Sequence, residues 1–154
     1  MGQERDWKTF ARAVPEGLAQ ARRGLTGMLS ALSAATKLPY GRIVLGGFSQ
    51  GGMVTTDLAL RLEEAPAGLC ILSGALICQD EWKQRAERRK GLPVLQGHGR
   101  MDNILPFAQA ESLRDLLQAA GMQVDFVPFD GPHTLAPEEL AKLAEFLHVR
   151  LIKR

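Results

Sequence analysis

Residues 43–52, Ile-Val-Leu-Gly-Gly-Phe-Ser-Gln-Gly-Gly, join an apolar run to a cluster of glycines around one serine. The apolar run, from Arg42 to Phe48, contains β-branched residues and follows a Pro39-Tyr-Gly41 turn, so it predicts a short buried strand. A helix is predicted from Gly51 to Glu64, where Pro66 ends it. The serine of this segment therefore lies where a strand turns sharply into a helix.

The turn itself has the pattern G-x-S-x-G, in Gly47-Phe-Ser49-Gln-Gly51. Such a turn is sharp and strains the serine backbone, so side chains at positions 47 and 51 are expected to collide with their neighbours. The Ser49 hydroxyl then projects above the sheet, and the amide of Gln50 points to where an oxyanion would form. A glycine-rich turn with an incidental serine is the alternative. A phosphate-binding loop is disfavoured, because no Gly-Lys-Ser/Thr or G-x-G-x-x-G pattern is present here.

Outward from this segment, helices alternate with strands. Strands are predicted over 68–73, 92–96 and 123–129, and helices over 16–36, over 106–120 and from Pro137 onward. The charged stretch 81–90 predicts a solvated helix or a mobile excursion. The alternation predicts one α/β domain, residues 1–154, with a mainly parallel sheet and helices on both faces. In such sheets the active site lies beyond the carboxyl ends of the strands, which selects the loops after Phe48, Ser73, Gln96 and Phe129.

A catalytic serine needs a base, and histidine is the usual one because its pKa lies near neutrality. The sequence offers three. His148 falls inside the last predicted helix, where an interfacial role is expected. His98 follows the third predicted strand but precedes any suitable acid in the hydrolase order. His133, in the loop after the fourth strand, fits the order Ser, Asp/Glu, His.

The acid that orients this base is expected between Ser49 and His133. Asp102 lies in a tight turn just past the third predicted strand and is the preferred candidate. Asp80, in the loop after the second strand, is the competitor. Asp130 shares the loop of His133 and is more typical of a turn former.

The composition fits an ordinary globular domain, with 154 residues, 45% hydrophobic, 23% charged and a net charge of +2. This near balance of charge favours neither nucleic acid nor an anionic membrane as a partner. Cys70 and Cys78 are too few for a disulfide framework and suit a reducing cytoplasm. The polar segment Met1–Phe10 is not a signal peptide, and no apolar run approaches the roughly 18 residues of a membrane span. The three histidines lack metal-ligand spacing, so no metal is expected.

Four segments together resemble the phospholipase/carboxylesterase family of the α/β-hydrolase fold, which includes the acyl-protein thioesterases. They are residues 43–52, Leu72-Ser-Gly74, Gln96-Gly-His-Gly-Arg-Met-Asp-Asn-Ile-Leu-Pro106 and the loop that holds His133. The spacings from Ser49 to Asp102 and from Asp102 to His133, 53 and 31 residues, are similar to those of the family. The resemblance implies Ser49 as nucleophile, Asp102 as acid and His133 as base. It also implies hydrolysis of carboxylic esters and thioesters through an acyl-enzyme, with no cofactor.

Two features depart from the family. Pro132 precedes His133, where the family usually has glycine. The family sheet also begins with several strands before the serine strand, and a His-Gly-Gly loop after an early one supplies a second oxyanion amide. No such motif precedes Glu16, so the fold is expected to be a truncated α/β-hydrolase with Gln50 as the recognisable donor. The serine strand then has a free flank, which predicts a homodimer, a domain-swapped form or a complex with a separate N-terminal segment.

Apolar residues near the predicted loops are candidates for an acyl pocket, with core packing as the alternative: Leu76, Trp82, Ile104, Leu105 and Leu135. The leading functional hypothesis is a carboxylesterase that acts on small esters and on thioesters. A serine peptidase similar to prolyl oligopeptidase is the second hypothesis. The third is a truncated, non-catalytic hydrolase homologue that acts by association.

Overall fold

A computed structural model describes residues 5–152 and shows within them two helices followed by alternating strands and helices. The helices are α1 (Trp7–Arg12), α2 (Leu18–Thr36), α3 (Gln50–Arg61), α4 (Gln79–Ala86), α5 (Phe107–Ala119) and α6 (Pro137–Leu151). The strands are β1 (Val44–Phe48), β2 (Gly68–Leu72), β3 (Pro93–Gly99) and β4 (Gln123–Phe129), and short 3₁₀ turns span Tyr40–Arg42 and Glu87–Arg89. No helix within residues 5–152 combines the length and hydrophobicity needed to cross a membrane.

The four strands form one sheet in the order β1-β2-β3-β4, and every neighbouring pair is parallel. Each strand therefore returns through a helix to lie beside the previous one, and all four carboxyl ends meet at one edge. This confirms the predicted α/β class and parallel sheet. It also brings the loops after β1, β3 and β4 to the same side of the molecule.

Different helices cover the two faces of the sheet. On one face, the core around Leu69, Ile71 and Val94 includes residues of α2, α3, α4 and α5. On the other, Phe146 of α6 packs with Cys70. Successive side chains of a strand point to opposite faces of the sheet. Leu69 and Ile71 of β2 therefore belong to one core, and Cys70 between them belongs to the other. The prediction of helices on both faces is confirmed.

A buried carboxylate fixes α3 relative to its neighbours. Asp57 of α3 is fully buried and accepts hydrogen bonds from Arg22 Nη1 of α2 at 2.5 Å and from Trp82 Nε1 of α4 at 2.9 Å. Arg61 Nε lies 3.2 Å from the same carboxylate, and its Nη2 pairs with Glu81. A buried charge is tolerated only when it is paired and hydrogen-bonded. This cluster therefore holds the helix that begins at the serine.

The charged stretch 81–90 is largely helical, which was one of the two predicted alternatives, and most but not all of its residues are exposed. It forms the end of α4 and a 3₁₀ turn, and its Arg89 is only 4% exposed. The guanidinium donates to the carbonyl oxygens of Ala59 and Leu62 near the end of α3, so it satisfies groups that the helix leaves open. The sequence pattern suggested solvation because charge density alone does not reveal which cation caps a helix.

Strand β1 forms one edge of the sheet and pairs with β2 only, within residues 5–152. The amide of Ser49, directly after β1, donates to the carbonyl of Leu72 in β2. Successive residues of a strand direct their N–H and C=O groups to opposite sides, so the odd-numbered residues of β1 direct these groups to β2. The backbone groups of Val44, Gly46 and Phe48 then face the free flank. Gly46 and Phe48 are also exposed to solvent.

Candidate active site

Ser49 stands in the strained turn between β1 and α3. Its φ is 57° and its ψ −120°, a backbone conformation that side chains rarely adopt. A Cβ at Gly47 would lie 2.3 Å from the backbone carbon of Gly51, so only glycine fits at position 47. A Cβ at Gly51 itself would meet nothing within 4 Å. The expectation of a collision at position 51 was wrong, because that residue already faces outward from the first turn of α3.

Ser49, His133 and Asp102 form a continuous chain of hydrogen bonds. Oγ of Ser49 lies 3.0 Å from Nε2 of His133, and Nδ1 of His133 lies 2.6 Å from Oδ2 of Asp102. A carboxylate only accepts, so Nδ1 carries the hydrogen of that contact, and Nε2 is the ring nitrogen that faces the serine hydroxyl. The structure thus brings together the three residues that the sequence selected from three different loops.

Asp102 is held by its own loop. The carboxylate is buried, and its Oδ1 accepts from the amides of Ile104 at 2.9 Å and Leu105 at 2.8 Å. An aspartate that bonds amides two and three residues ahead closes a tight turn. Oδ1 is therefore fixed by the backbone, and Oδ2 is left to face His133.

The loops that carry Asp102 and His133 are tied to each other through their backbones. The amide of Arg100 donates to the carbonyl of Phe129 at 2.8 Å, and that of Met101 to the carbonyl of Gly131 at 3.0 Å. A Cβ at Gly99 would approach the Gly131 carbonyl oxygen to 2.3 Å, so this close approach needs glycine. These contacts set the separation of the acid and base loops.

The other acids and histidines considered from sequence lie elsewhere. Asp80 is exposed in the first turn of α4, and the Asp130 side chain is 86% exposed and lies 3.4 Å from Arg100. His148 is exposed on α6. His98 is part of β3, which extends three residues further than predicted, and is completely buried.

An apolar cavity of about 470 Å³ opens beside Ser49 and Gln50. It is lined mainly by residues from the first three helices and from the loops after β2 and β3: Phe10, Leu18, Met53, Val54, Ile77, Ile104 and Leu105. A cavity of this size and character suits a small apolar group. Its wall includes α1, a six-residue helix that the hydrophobic periodicity did not indicate.

The five residues suggested for an acyl pocket separate into two groups. Ile104 and Leu105 line the cavity. Leu76 and Trp82 belong to the hydrophobic core, with 3% and 0% of their surface exposed, and neither borders the cavity. Leu135 is 42% exposed and likewise does not border it. For Leu76 and Trp82, the structure agrees with core packing, the alternative that the sequence left open.

Gln50 is the first residue of α3, directly after the serine. The amides of a first helical turn have no partner inside the helix and carry partial positive charge. Gln50 also borders the cavity together with Ser49. Gln50 thus combines a first-turn position in α3 with a place at the edge of the cavity.

Three residues near the site were not singled out as functional by the sequence. Phe48 places its ring 4.9 Å from the His133 ring, and its position directly before the serine was the available signal. His98 Nε2 lies 3.3 Å from Oδ2 of Asp102, the oxygen that also contacts His133. Glu139, at the start of α6, is completely buried against Gly97, and burial raises its pKa to about 7. Neither of the last two contacts is visible in hydrophobic periodicity.

The remaining titratable groups give no sign of metal or thiol chemistry. Within residues 5–152, no three His, Cys, Asp or Glu side chains are grouped to hold a metal ion. Cys70 and Cys78 are buried and free, and burial raises their pKa to about 12 and about 11. A thiol with a raised pKa is a poor nucleophile at neutral pH.

Comparison with known proteins finds one family along almost the entire chain. The phospholipase/carboxylesterase family profile matches residues 9–151. Acyl-protein thioesterase 1 of Neurospora crassa is 33% identical over 120 residues, which are 75% of this chain and 49% of that protein. A probable carboxylesterase of Oryza sativa is 32% identical over 116 residues, 73% of this chain and 43% of its own length. The chain spans about half the length of these relatives.

Solved structures give the same answer for the fold. The esterase PE8 superposes with a TM-score of 0.81 and 28% identity, over 96% of this chain and 67% of its own. The Arabidopsis thaliana protein SOBER1 superposes with a TM-score of 0.78 over 90% of this chain and 67% of its own, at 23% identity. The predicted resemblance and the α/β-hydrolase fold are confirmed.

Proposed function

The chain belongs to the phospholipase/carboxylesterase family, and from that premise we propose that it is a serine esterase that cleaves small carboxylic esters and thioesters. One observation carries the proposal. Ser49, His133 and Asp102 form an unbroken hydrogen-bonded chain, with separations of 3.0 Å and 2.6 Å, at the carboxyl edge of the sheet. This is the arrangement that makes a serine hydroxyl nucleophilic at neutral pH.

In the proposed reaction, His133 Nε2 takes the hydroxyl proton while Ser49 Oγ attacks the carbonyl carbon of the ester. The resulting oxyanion faces the amide of Gln50, and the imidazolium is stabilised by Asp102. His133 then gives its proton to the leaving alcohol or thiol, which leaves an acyl group on Ser49. Water, activated by His133 in the same way, releases the acid and restores the serine. No cofactor takes part in these steps.

The cavity beside Ser49 supports an apolar acyl group as the part of the substrate that is bound. Met53, Ile77 and Leu105 contribute apolar surface to the wall, which also includes the charged residues Arg5 and Glu16. Burial of each methylene there contributes about 0.8 kcal/mol. Butyrate esters are therefore expected to have a lower KM than acetate esters.

Slow turnover is part of the proposal, since Gln50 is the one oxyanion donor that we assign. Loss of one such donor reduces turnover by about 10²- to 10³-fold in serine hydrolases. The part of each relative that aligns with this chain is about half of that relative's length. The family resemblance implies a second donor from a loop before the serine strand.

Hydrolysis of p-nitrophenyl acetate and butyrate tests the proposal. The chain is expected to release p-nitrophenol at a rate that Ser49→Ala abolishes, with Ser73→Ala as the control because Ser73 is buried in another loop. Equal turnover by Ser49→Ala and the unmodified chain would contradict the proposal. Cleavage of a peptide amide without cleavage of either ester would favour the peptidase alternative. Inactivity with intact folding would favour a role by association alone.

Association through the free flank of β1 is a further part of the proposal. The backbone groups of Val44, Gly46 and Phe48 are available there for another strand, and exposed edges readily pair. Val44→Pro removes an outward N–H and no β1–β2 hydrogen bond, and Ile43 before it already has the extended backbone that proline needs, at φ −115° and ψ 129°. Light scattering is expected to detect a dimer that Val44→Pro converts to a monomer. A monomeric unmodified chain at micromolar concentration would contradict this part.

A cytoplasmic location completes the proposal. Cys70 and Cys78 are both buried as free thiols, which suits a reducing compartment. Fractionation of cells that express the chain is expected to recover it with cytoplasmic markers.

A further inference from the structure

Asp102 lies between two histidines, and the reaction proposed above uses only one of them. His98 of β3 is completely buried, and its Nε2 lies 2.7 Å from the carbonyl oxygen of Leu105 and 3.3 Å from Oδ2 of Asp102. The same Oδ2 lies 2.6 Å from Nδ1 of His133. One carboxylate oxygen therefore lies near two imidazole nitrogens, one from strand β3 and one from the loop after β4.

The protonation of His98 follows from its partners. A carbonyl oxygen only accepts, so the contact with Leu105 requires a hydrogen on Nε2 of His98. Nδ1 of His98 is buried and has no hydrogen-bond partner among the described residues, as expected of a bare lone pair. Burial lowers the pKa of His98, although Asp102 opposes the shift. The ring is therefore neutral, and it faces Asp102, His133 and the Phe107 ring, whose centre lies 6.1 Å away.

Hydrogen bonds link His98 to Asp102 through the backbone of Leu105. The amide of Leu105 donates to Oδ1 of Asp102 at 2.8 Å, and the carbonyl of the same residue accepts from His98. The Nε2–H of His98 is donated to that carbonyl, and Oδ2 of Asp102 lies 3.3 Å from the same nitrogen. Rotation of the Asp102 carboxylate would break the contact with Leu105 and the contact with His98 together.

We propose that His98 is a positioning residue: its Nε2–H holds the carbonyl of Leu105, and through the Leu105 amide this keeps the Asp102 carboxylate in the orientation that receives Nδ1–H of His133. The inference rests on the proposed serine esterase function. Neutrality is part of the role, because an imidazolium at position 98 would compete for the negative charge that stabilises protonated His133. His98 touches neither substrate nor serine, and acts only through Asp102.

Two substitutions distinguish a hydrogen-bonding role of His98 from a role in packing alone. His98→Gln keeps a donor nitrogen the same number of bonds from the backbone, whereas His98→Leu removes it. In ester hydrolysis, His98→Leu is expected to lower kcat by about 10- to 100-fold with KM nearly unchanged, and His98→Gln to stay within about 3-fold of the unmodified chain. Unchanged kcat in His98→Leu, or an equal fall in both variants, would overturn the proposal.

Nuclear magnetic resonance provides readouts that do not depend on turnover or on the stability of a variant. In the unmodified chain, ring ¹⁵N shifts at pH 7 are expected to show His98 with hydrogen on Nε2 and none on Nδ1. Hydrogen on Nδ1 would overturn the proposal even if His98→Leu does not fold.

The low-field signal of His133 Nδ1–H is expected to persist in His98→Gln and to be lost in His98→Leu. Persistence in a folded His98→Leu would overturn the positioning role. If the unmodified chain hydrolyses no ester, the proposed function fails, and these signals still decide whether His98 holds Asp102.

Discussion

The two sides of the candidate site differ in how completely this chain builds them. On the acid–base side, backbone hydrogen bonds tie the loops after β3 and β4, and both oxygens of Asp102 have partners. On the oxyanion side, the amide of Gln50 follows an edge strand whose other flank is unpaired within the described residues. The comparison teaches that activation of the serine and stabilisation of the oxyanion are built from separate segments, so one can be complete without the other.

Magnitudes decide which side matters more for activity. Loss of a triad member reduces turnover by about 10⁴-fold or more, whereas loss of one oxyanion donor reduces it by about 10² to 10³. If both sides act as we propose, the chain retains the larger contribution. The predictions below test this comparison, from the largest expected effect to the smallest.

Asp102→Asn is expected to give the largest effect, a fall in kcat of about 10⁴-fold, because an amide cannot hold His133 in the required tautomer. Asp80→Asn and Asp130→Asn are matched controls, since both side chains are exposed, and they are expected to leave ester hydrolysis unchanged. Full activity in Asp102→Asn, or a comparable loss in Asp80→Asn, would transfer the acid role to another residue.

Much of the acid–base side of the site could be predicted from the sequence. The motif Gly47-Phe-Ser-Gln-Gly51 and the order of Ser49, Asp102 and His133 selected the three residues that the structure brings together. Those residues were accessible because the carboxyl ends of parallel strands meet at one edge, so a strand pattern and a chain order suffice to group them. Neither requires knowledge of side-chain packing.

Other features could not be predicted from the sequence. One element is too short for its pattern to be read, and the other features depend on contacts between residues that are distant in sequence. Helix α1 has only six residues, too few for periodicity to be clear. The burial of Arg89 depends on carbonyl groups at the end of α3, and that of Trp82 depends on Asp57. The space beside Gly51 depends on how α3 leaves the turn, which the G-x-S-x-G pattern does not specify.

The turn around Ser49 belongs to both sides of the site, and a comparison of Gly47→Ala with Gly51→Ala tests it. A Cβ at position 47 would overlap backbone atoms of Gly51, so the free energy of unfolding is expected to fall by about 3 kcal/mol or more. Gly51→Ala has open space in a helix and is expected to leave stability unchanged or raise it by about 0.5 kcal/mol. Urea unfolding measures both. Similar stabilities of the two variants would contradict the turn geometry.

Glu139→Gln tests a destabilising feature built into the acid–base side. Burial raises the pKa of Glu139 from 4.5 to about 7, so the folded chain binds a proton that the unfolded chain releases between these pH values. Stability is therefore expected to fall as pH rises from 4.5 to 7, by at most about 3 kcal/mol. Glu139→Gln is expected to remove this slope and to be the more stable protein at pH 8. The exposed neighbour offers the control Glu138→Gln, and an equal slope in all three proteins would contradict the burial argument.

Covalent labelling of Ser49 by a fluorophosphonate tests the central claim most directly, because it requires an activated serine and no knowledge of the natural ester. Mass spectrometry of the digested protein is expected to find the label on Ser49, at a rate that His133→Ala reduces by at least about 10²-fold. The exposed His148→Ala is expected to label at the unmodified rate. Absence of label on the folded, unmodified chain, or equal labelling of His133→Ala, would contradict the claim that this chain alone activates its serine.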